Sequence, residues 1–171
     1  MEVRFENSYK MDARTVREFK YAMIRPLPWV LLSLVFALIF ALLYIYARER
    51  MHLFCAVLIV ILSALVLLVI ELDARRTWKQ MQEQSGGKDI NCRIVFTDEK
   101  AENTSTGVEG RVQLNYADIK TVRKSRSLVI LITKARLGHI LRRDSFTVGN
   151  EPEFLEFIKE RRGLASLPKG K

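Results

Sequence analysis

Two charge-free apolar runs, six residues apart, limit what this chain can fold into. The first, from Trp29 to Tyr46, reads WVLLSLVFALIFALLYIY, and the second, from Leu53 to Ile70, reads LFCAVLIVILSALVLLVI. Each is 18 residues long, and the charge-free stretch around the first extends from Pro26 to Ala47. At about 1.5 Å of rise per residue, either run as a helix crosses a hydrocarbon core about 30 Å thick. The linker Ala47–His52 (ARERMH) has room for little more than a tight turn. The runs therefore predict an antiparallel transmembrane hairpin over residues 26–72, with spans near 29–46 and 53–70. The second run holds 14 Leu, Ile, Val or Phe residues. These favour insertion by at most about 4–8 kcal/mol, with no charge opposing them. A cleaved secretory signal fits poorly, because the first run is long, starts near residue 29, lacks a following small-x-small site and leads into a second span.

Lysine and arginine set the expected orientation. Residues 1–25 carry six (Arg4, Lys10, Arg14, Arg17, Lys20, Arg25) and residues 71–90 carry four (Arg75, Arg76, Lys79, Lys88), against Arg48 and Arg50 in the loop. This bias predicts both termini in the cytoplasm. Trp29 and Trp78 are expected at the cytoplasmic interface, Tyr44 and Tyr46 at the far one. The net charge of +9 points the same way, since residues 88–171 hold 17 Lys or Arg against 11 Asp or Glu. A basic domain beside an anionic leaflet gains about 1 kcal/mol per well-placed cation. No nucleic-acid-binding motif accompanies the charge, so the bilayer is the expected partner. Arg14, Arg17, Lys20 and Arg25, with Arg75, Arg76 and Lys79, flank the hairpin and are candidates for contact with anionic headgroups.

The flanking segments predict the remaining elements. Residues 1–25 read as a short strand followed by a basic amphipathic helix over 13–24, with Asp12 as N-cap and Val16, Phe19, Met23 and Ile24 on one face. That face either lies in the headgroup plane or packs on the C-terminal domain. In the spans, Ser33, Ala37 and Ala41 recur every fourth residue, and Ala56, Ser63 and Ala64 can face them. Such a small-residue stripe holds a hairpin together or forms a homodimer seam. A juxtamembrane helix and linker over 73–87 ends at Ser85-Gly86-Gly87. From Asp89 the apolar period changes to two: INCRIVFT, AENTST, RVQLNY, Lys120–Lys124, SLVILITKA and HILRR read as strands joined by turns, one at GVEG (107–110). AENTST is the expected edge, able to accept an added strand. Asn150 and Glu153 open a C-terminal helix whose Phe154, Phe157 and Ile158 face inward. Gly163 ends it, and 164–171 is a basic tail. The expected fold is thus a membrane helical hairpin plus an α+β domain over 88–163, a small antiparallel barrel or bent sheet capped by a helix.

The hairpin followed in order by CRIVFTDE, LNYADIKTVRKSRSLVILIT, HILRRDSF and EFLEFIKER resembles the YcxB-like proteins of bacteria across nearly the whole chain. The Tyr116-x-x-Ile119 step and the basic residues before Phe146 carry most of the likeness, while Arg142-Arg143 stand where the family usually has Pro-Lys. The resemblance implies a pleckstrin-homology-like cytoplasmic domain in a bacterial inner-membrane protein, and little about activity.

Catalytic chemistry finds few candidates. His52 and His139 fall on opposite sides of the predicted membrane, no Cys or His pair has metal-ligand spacing, and no glycine-rich phosphate loop is present. Cys55 and Cys92 read as small apolar fillers. No charge lies within the spans to mark an ion path. Lys120, Arg123, Lys124 and Arg126 form either a solvated face or a ligand site. The expectation is a protein without catalytic residues, metal, cofactor or small-molecule substrate: a membrane-anchored interaction module binding a protein, a peptide strand or anionic lipid. The alternative is an accessory subunit of an envelope export or antimicrobial-peptide self-protection system.

Overall fold

Alternation at the N-terminus and again after Asp89 produces strands that meet although the hairpin separates them. The structure, a computed structural model, describes residues 2–106 and 112–161. The predicted GVEG turn, the helix end at Gly163 and the basic tail lie outside those residues. Strand β1 (Phe5–Lys10) leads into helix α1 (Ala13–Ile24), where the Asp12 carboxylate accepts from the Thr15 N–H at 2.7 Å. Arg25, in the left-handed region at φ 52°, ends α1 and turns the chain into α2 (Pro26–Ala47), with proline at its first position. There the missing N–H of proline costs nothing. Helix α3 (Arg50–Gln84) runs 35 residues without a break, so the predicted juxtamembrane helix is the same rod as the second span.

Helices α2 and α3 are long and apolar enough to cross a membrane. Within their most apolar windows 6% and 11% of the residues are buried, so most of their Leu, Ile, Val and Phe side chains face outward. The core helix of a soluble protein hides such a surface.

Strands β2 (Asn91–Phe96), β3 (Lys100–Ser105), β4 (Val112–Asn115), β5 (Ile119–Lys124), β6 (Leu128–Thr133), β7 (Gly138–Arg142) and β8 (Phe146–Val148) follow, then helix α4 (Glu151–Arg161). They form an antiparallel five-stranded sheet in the order β4-β3-β2-β1-β8 and an antiparallel three-stranded sheet β5-β6-β7. The N-terminal strand is interior to the larger sheet, paired from Phe5 opposite Phe96 to Lys10 opposite Asn91. One expectation needs correction and one element is added. Residues 101–103 are not a free edge, because β4 pairs with them on the side away from β2; polarity suggested an edge, but it reflects only a partly solvated face. Phe146–Val148, to which the sequence pattern assigned no element, is a short strand closing the other side of β1.

The two sheets are bridged between β1 and β7 by two polar side chains. Asn7, fully buried, donates from Nδ2 to the Arg142 carbonyl at 2.7 Å and accepts from the Arg142 N–H through Oδ1 at 3.1 Å. Its amide thus supplies the donor and acceptor that a neighbouring backbone would. Tyr9 adds a bond from its hydroxyl to the Ile140 carbonyl at 3.0 Å. Between the sheets, Phe5, Ile94, Phe96, Leu114, Val129 and Leu141 form a core that Phe154 and Ile158 of α4 complete. The Phe154 ring meets those of Phe96, Phe146 and Phe5 at 4.7, 5.4 and 5.6 Å between centroids. Gly149, at φ +77°, lets the chain pass over Phe5 where a Cβ would come within 2.3 Å of the ring.

Replacing Asn7 with Ala strands the Arg142 N–H and leaves the Arg142 carbonyl only its 3.3 Å bond from the Ser145 N–H. Buried groups left unpaired cost about 1–3 kcal/mol each. Asn7→Ala and Asn7→Asp are both expected to lower the thermal unfolding midpoint in detergent, Asp because it lacks the donor. An unchanged midpoint for both would remove the bridging role.

Candidate functional site

The cations predicted to flank the hairpin come together where α1 folds back along the polar end of α3. Arg17 Nε lies 2.8 Å from Glu71 Oε2, a close charge contact rather than an aligned hydrogen bond, and Arg75 Nε donates to Glu71 Oε1 at 3.1 Å. Lys20 pairs with Asp73 at 2.7 Å, and Lys79 lies 3.8 Å from Glu83. Four of the seven candidates therefore pair with carboxylates of α3, Arg17 and Arg75 sharing Glu71. Arg14, Arg25 and Arg76 remain exposed, with no ion pair among the described residues. Counting Lys and Arg missed this because Glu71 and Asp73 directly follow the second span; Arg17 and Lys20, three residues apart on α1, were the matching signal.

The apolar face of α1 is spoken for as well. Phe19, Ala22 and Met23 pack on Leu128, Ile130 and Ile132 of β6, while Val16 joins Tyr9, Met11, Ile90 and Cys92. Of the two readings left open for this helix, packing on the domain is the one observed. Trp78, expected at the bilayer interface, instead packs with Met81 against that second cluster. Trp29 and Tyr46 are exposed, at 72% and 91%, as lipid-interface residues would be without a bilayer around them. Four hydrogen bonds fix α1 further. Arg123 Nη1 donates to the Ala22 and Met23 carbonyls at 3.0 and 2.6 Å, capping the last turn. Glu18 accepts from the Ser127 amide at 2.8 Å and the Ser127 hydroxyl at 2.5 Å.

The small-residue stripe is the seam of the hairpin itself. Ala37 and Ala56 are buried in it, Ala41 is half-buried, and Ser33 Oγ lies 2.6 Å from Ser63 Oγ. The Val30 and Ile59 carbonyls each lie 2.8 Å from their own serine's hydroxyl. With one proton per hydroxyl, one serine donates to the other and the acceptor returns its proton to its own helix. Ala64 is a correction: one residue past Ser63, a rotation of about 100° turns it away from α2, and it is exposed.

Two further features were not foreseen. A groove of about 620 Å³ opens where Tyr21 and Arg25 end α1, between Pro26, Val30, Leu67 and Lys124. Lys124 pairs with Glu151 at 3.1 Å, and Arg143 holds the same carboxylate at 2.6 Å. A cavity of about 220 Å³ lies between β1, β3, β7 and the end of α3, lined by Tyr9, Met81, Cys92, Asn103 and His139. Burial pushes the Tyr9 hydroxyl and the Cys92 thiol up and the His139 imidazole down. All three are consequently neutral at pH 7, and a protonated thiol is a poor nucleophile. Among the described residues no three His, Cys, Asp or Glu side chains gather as metal ligands. Neither family models, characterised proteins nor solved structures give a match to the chain.

The buried groups predict acid sensitivity in two windows. The folded state holds His139 neutral, so the unfolded chain binds the proton more readily, and stability falls as pH drops below about the ordinary 6.5. For Glu18, burial opposes the charge but the Ser127 bonds outweigh it, leaving its carboxyl below the ordinary 4.5. Its contribution is present above that value and lost as pH falls through the lower one. His139→Gln is expected to flatten the unfolding midpoint between pH 7 and about 5.5 while keeping the loss below about pH 4.5. An unaltered profile would exclude His139 as its source. In the seam, Ser33→Ala with Ser63→Ala should cost about 0.6–2 kcal/mol, read as lowered thermal stability in detergent.

Proposed function

We propose that this chain is a two-span protein of the bacterial inner membrane, YcxB-like in plan, with both termini in the cytoplasm. Its pleckstrin-homology-like domain serves as a non-catalytic interaction module held against the cytoplasmic face. The pairing of β1 with β2 carries this reading. These strands precede and follow the hairpin, yet they are neighbours in one sheet. A hairpin that crosses twice returns the chain to its starting side, as that pairing requires. The Lys and Arg bias then favours the cytoplasmic side. The outward apolar surfaces of α2 and α3 support the anchor, and the neutral groups in the small cavity fit binding better than catalysis. Residues 101–103 have no open side for an added strand, since β2 and β4 flank them. The remaining recognition surface is the junction of domain and hairpin.

Site-directed labelling tests the topology. In a background with Cys55→Ala and Cys92→Ala, Glu49→Cys is expected to react with a membrane-impermeant maleimide in intact spheroplasts. Glu99→Cys should react only after lysis. Labelling of Glu99→Cys from outside would overturn the orientation.

A further inference from the structure

We propose that the groove between the end of α1, the start of α2 and the β5–β6 turn binds one anionic phospholipid of the cytoplasmic leaflet, phosphate toward Arg25 and Lys124, acyl chain along Val30 and Leu67. The inference rests on the anchored reading above and names a partner for it.

Three observations converge on that occupant. The first is position. Leu67 lies four residues before Glu71, the first charge after the second span, so the groove's α3 wall reaches about 6 Å to the apolar side of the charged level. Arg25 sits one residue before the first span helix begins. The groove therefore straddles the depth at which a bilayer changes from hydrocarbon to phosphate. The second is charge. Arg25 is exposed, with no ion pair among the described residues, and Lys124 shares the single Glu151 carboxylate with Arg143. The rim keeps uncompensated positive charge, chiefly at Arg25, whereas Lys20 on the same helix has the Asp73 carboxylate to itself. The third is the wall. Pro26, Leu27, Pro28, Val30 and Leu67 supply an apolar lining continuous with the outward surface of α2, where Leu27 is 66% exposed. A soluble anion has no use for that lining, and a zwitterionic lipid none for the surplus charge. The groove's volume of about 620 Å³ holds a headgroup and the first part of a chain.

The groove also has a rigid floor. Arg123 ties the end of α1 to β5, and Arg143 reaches the Ser125 and Arg126 carbonyls at 3.5 and 3.4 Å, so the cationic turn is held before any lipid arrives. Preorganisation of this kind reduces the ordering cost of binding.

The test uses the full chain in detergent, titrated with dioleoylphosphatidylglycerol or dioleoylphosphatidylcholine and read by native mass spectrometry. The wild type is expected to prefer the anionic lipid. Arg25→Asn, which tolerates the left-handed backbone, combined with Lys124→Gln should weaken phosphatidylglycerol binding about 20-fold and leave phosphatidylcholine binding unchanged. Lys124→Arg should retain binding, which separates lost charge from lost fold. Arg14→Gln with Arg76→Gln, exposed cations outside the groove, should have little effect. An equal loss in that pair would show diffuse surface charge and overturn the proposal, as would absence of any lipid preference. Displacement by an equal concentration of glycerol 3-phosphate would make this a soluble-phosphate site and overturn it too. Release of the protein from membranes by alkaline carbonate would sink the anchored reading; retention without phosphatidylglycerol preference sinks the groove proposal alone.

Discussion

The pairing of Phe5–Lys10 with Asn91–Phe96 is the constraint on which the rest depends. It makes one sheet from segments on either side of the hairpin, and so fixes where the ends of α2 and α3 must lie. With β1 in place, Asn7 reaches β7, Tyr9 reaches Ile140, and Phe5 meets Phe154 and Phe157. Remove β1 and the five-stranded sheet loses its link to β8 while the two sheets lose their polar bridge. The N-terminal strand is thus a structural member of the domain rather than a leader to the membrane segment.

A second consequence is that domain and hairpin are joined rigidly. Helix α3 continues from the apolar segment into the polar region, where Ile70 and Ala74 are buried and Trp78 and Met81 pack on the domain. Helix α1 lies between this extension and β6, clamped by ion pairs on one side and by Arg123 and the Glu18–Ser127 bonds on the other. Individually such exposed ion pairs contribute little. Here they supplement buried apolar contacts, and Glu71 with two guanidinium partners forms a small network instead of an isolated pair.

Much of this architecture is legible in the sequence because it rests on periodicity. The two spans, the α1 helix with its Asp12 cap, and the strands around Ile94 and Val129 all follow from repeats of 3.6 or 2. What escaped reading was relational. Nothing in AENTST says that a strand will pair on both sides, and Phe146–Val148 is too short to show a period. The small-residue stripe gave Ser33, Ala37 and Ala56 correctly, but adjacency in sequence to Ser63 misassigned Ala64, because neighbours on a helix point in different directions. The cations were identifiable as a group, while their division into paired and unpaired members depended on which carboxylates the fold brought opposite. Asn7 and the groove at Arg25 and Lys124 left no local signal, since each joins elements far apart in the chain.

The placement of β1 also sets a timetable for synthesis. Glu6 pairs with Val95 on one side and Val148 on the other. A ribosome making about 5–20 residues per second needs several seconds or more to travel that distance. Until β2 is made the first strand lacks its main partner, and until β6 is made α1 has nothing to cover Phe19 and Met23. The hairpin is synthesised before either partner exists. The domain therefore closes last, around a strand made first, and its assembly waits on the segment it encloses.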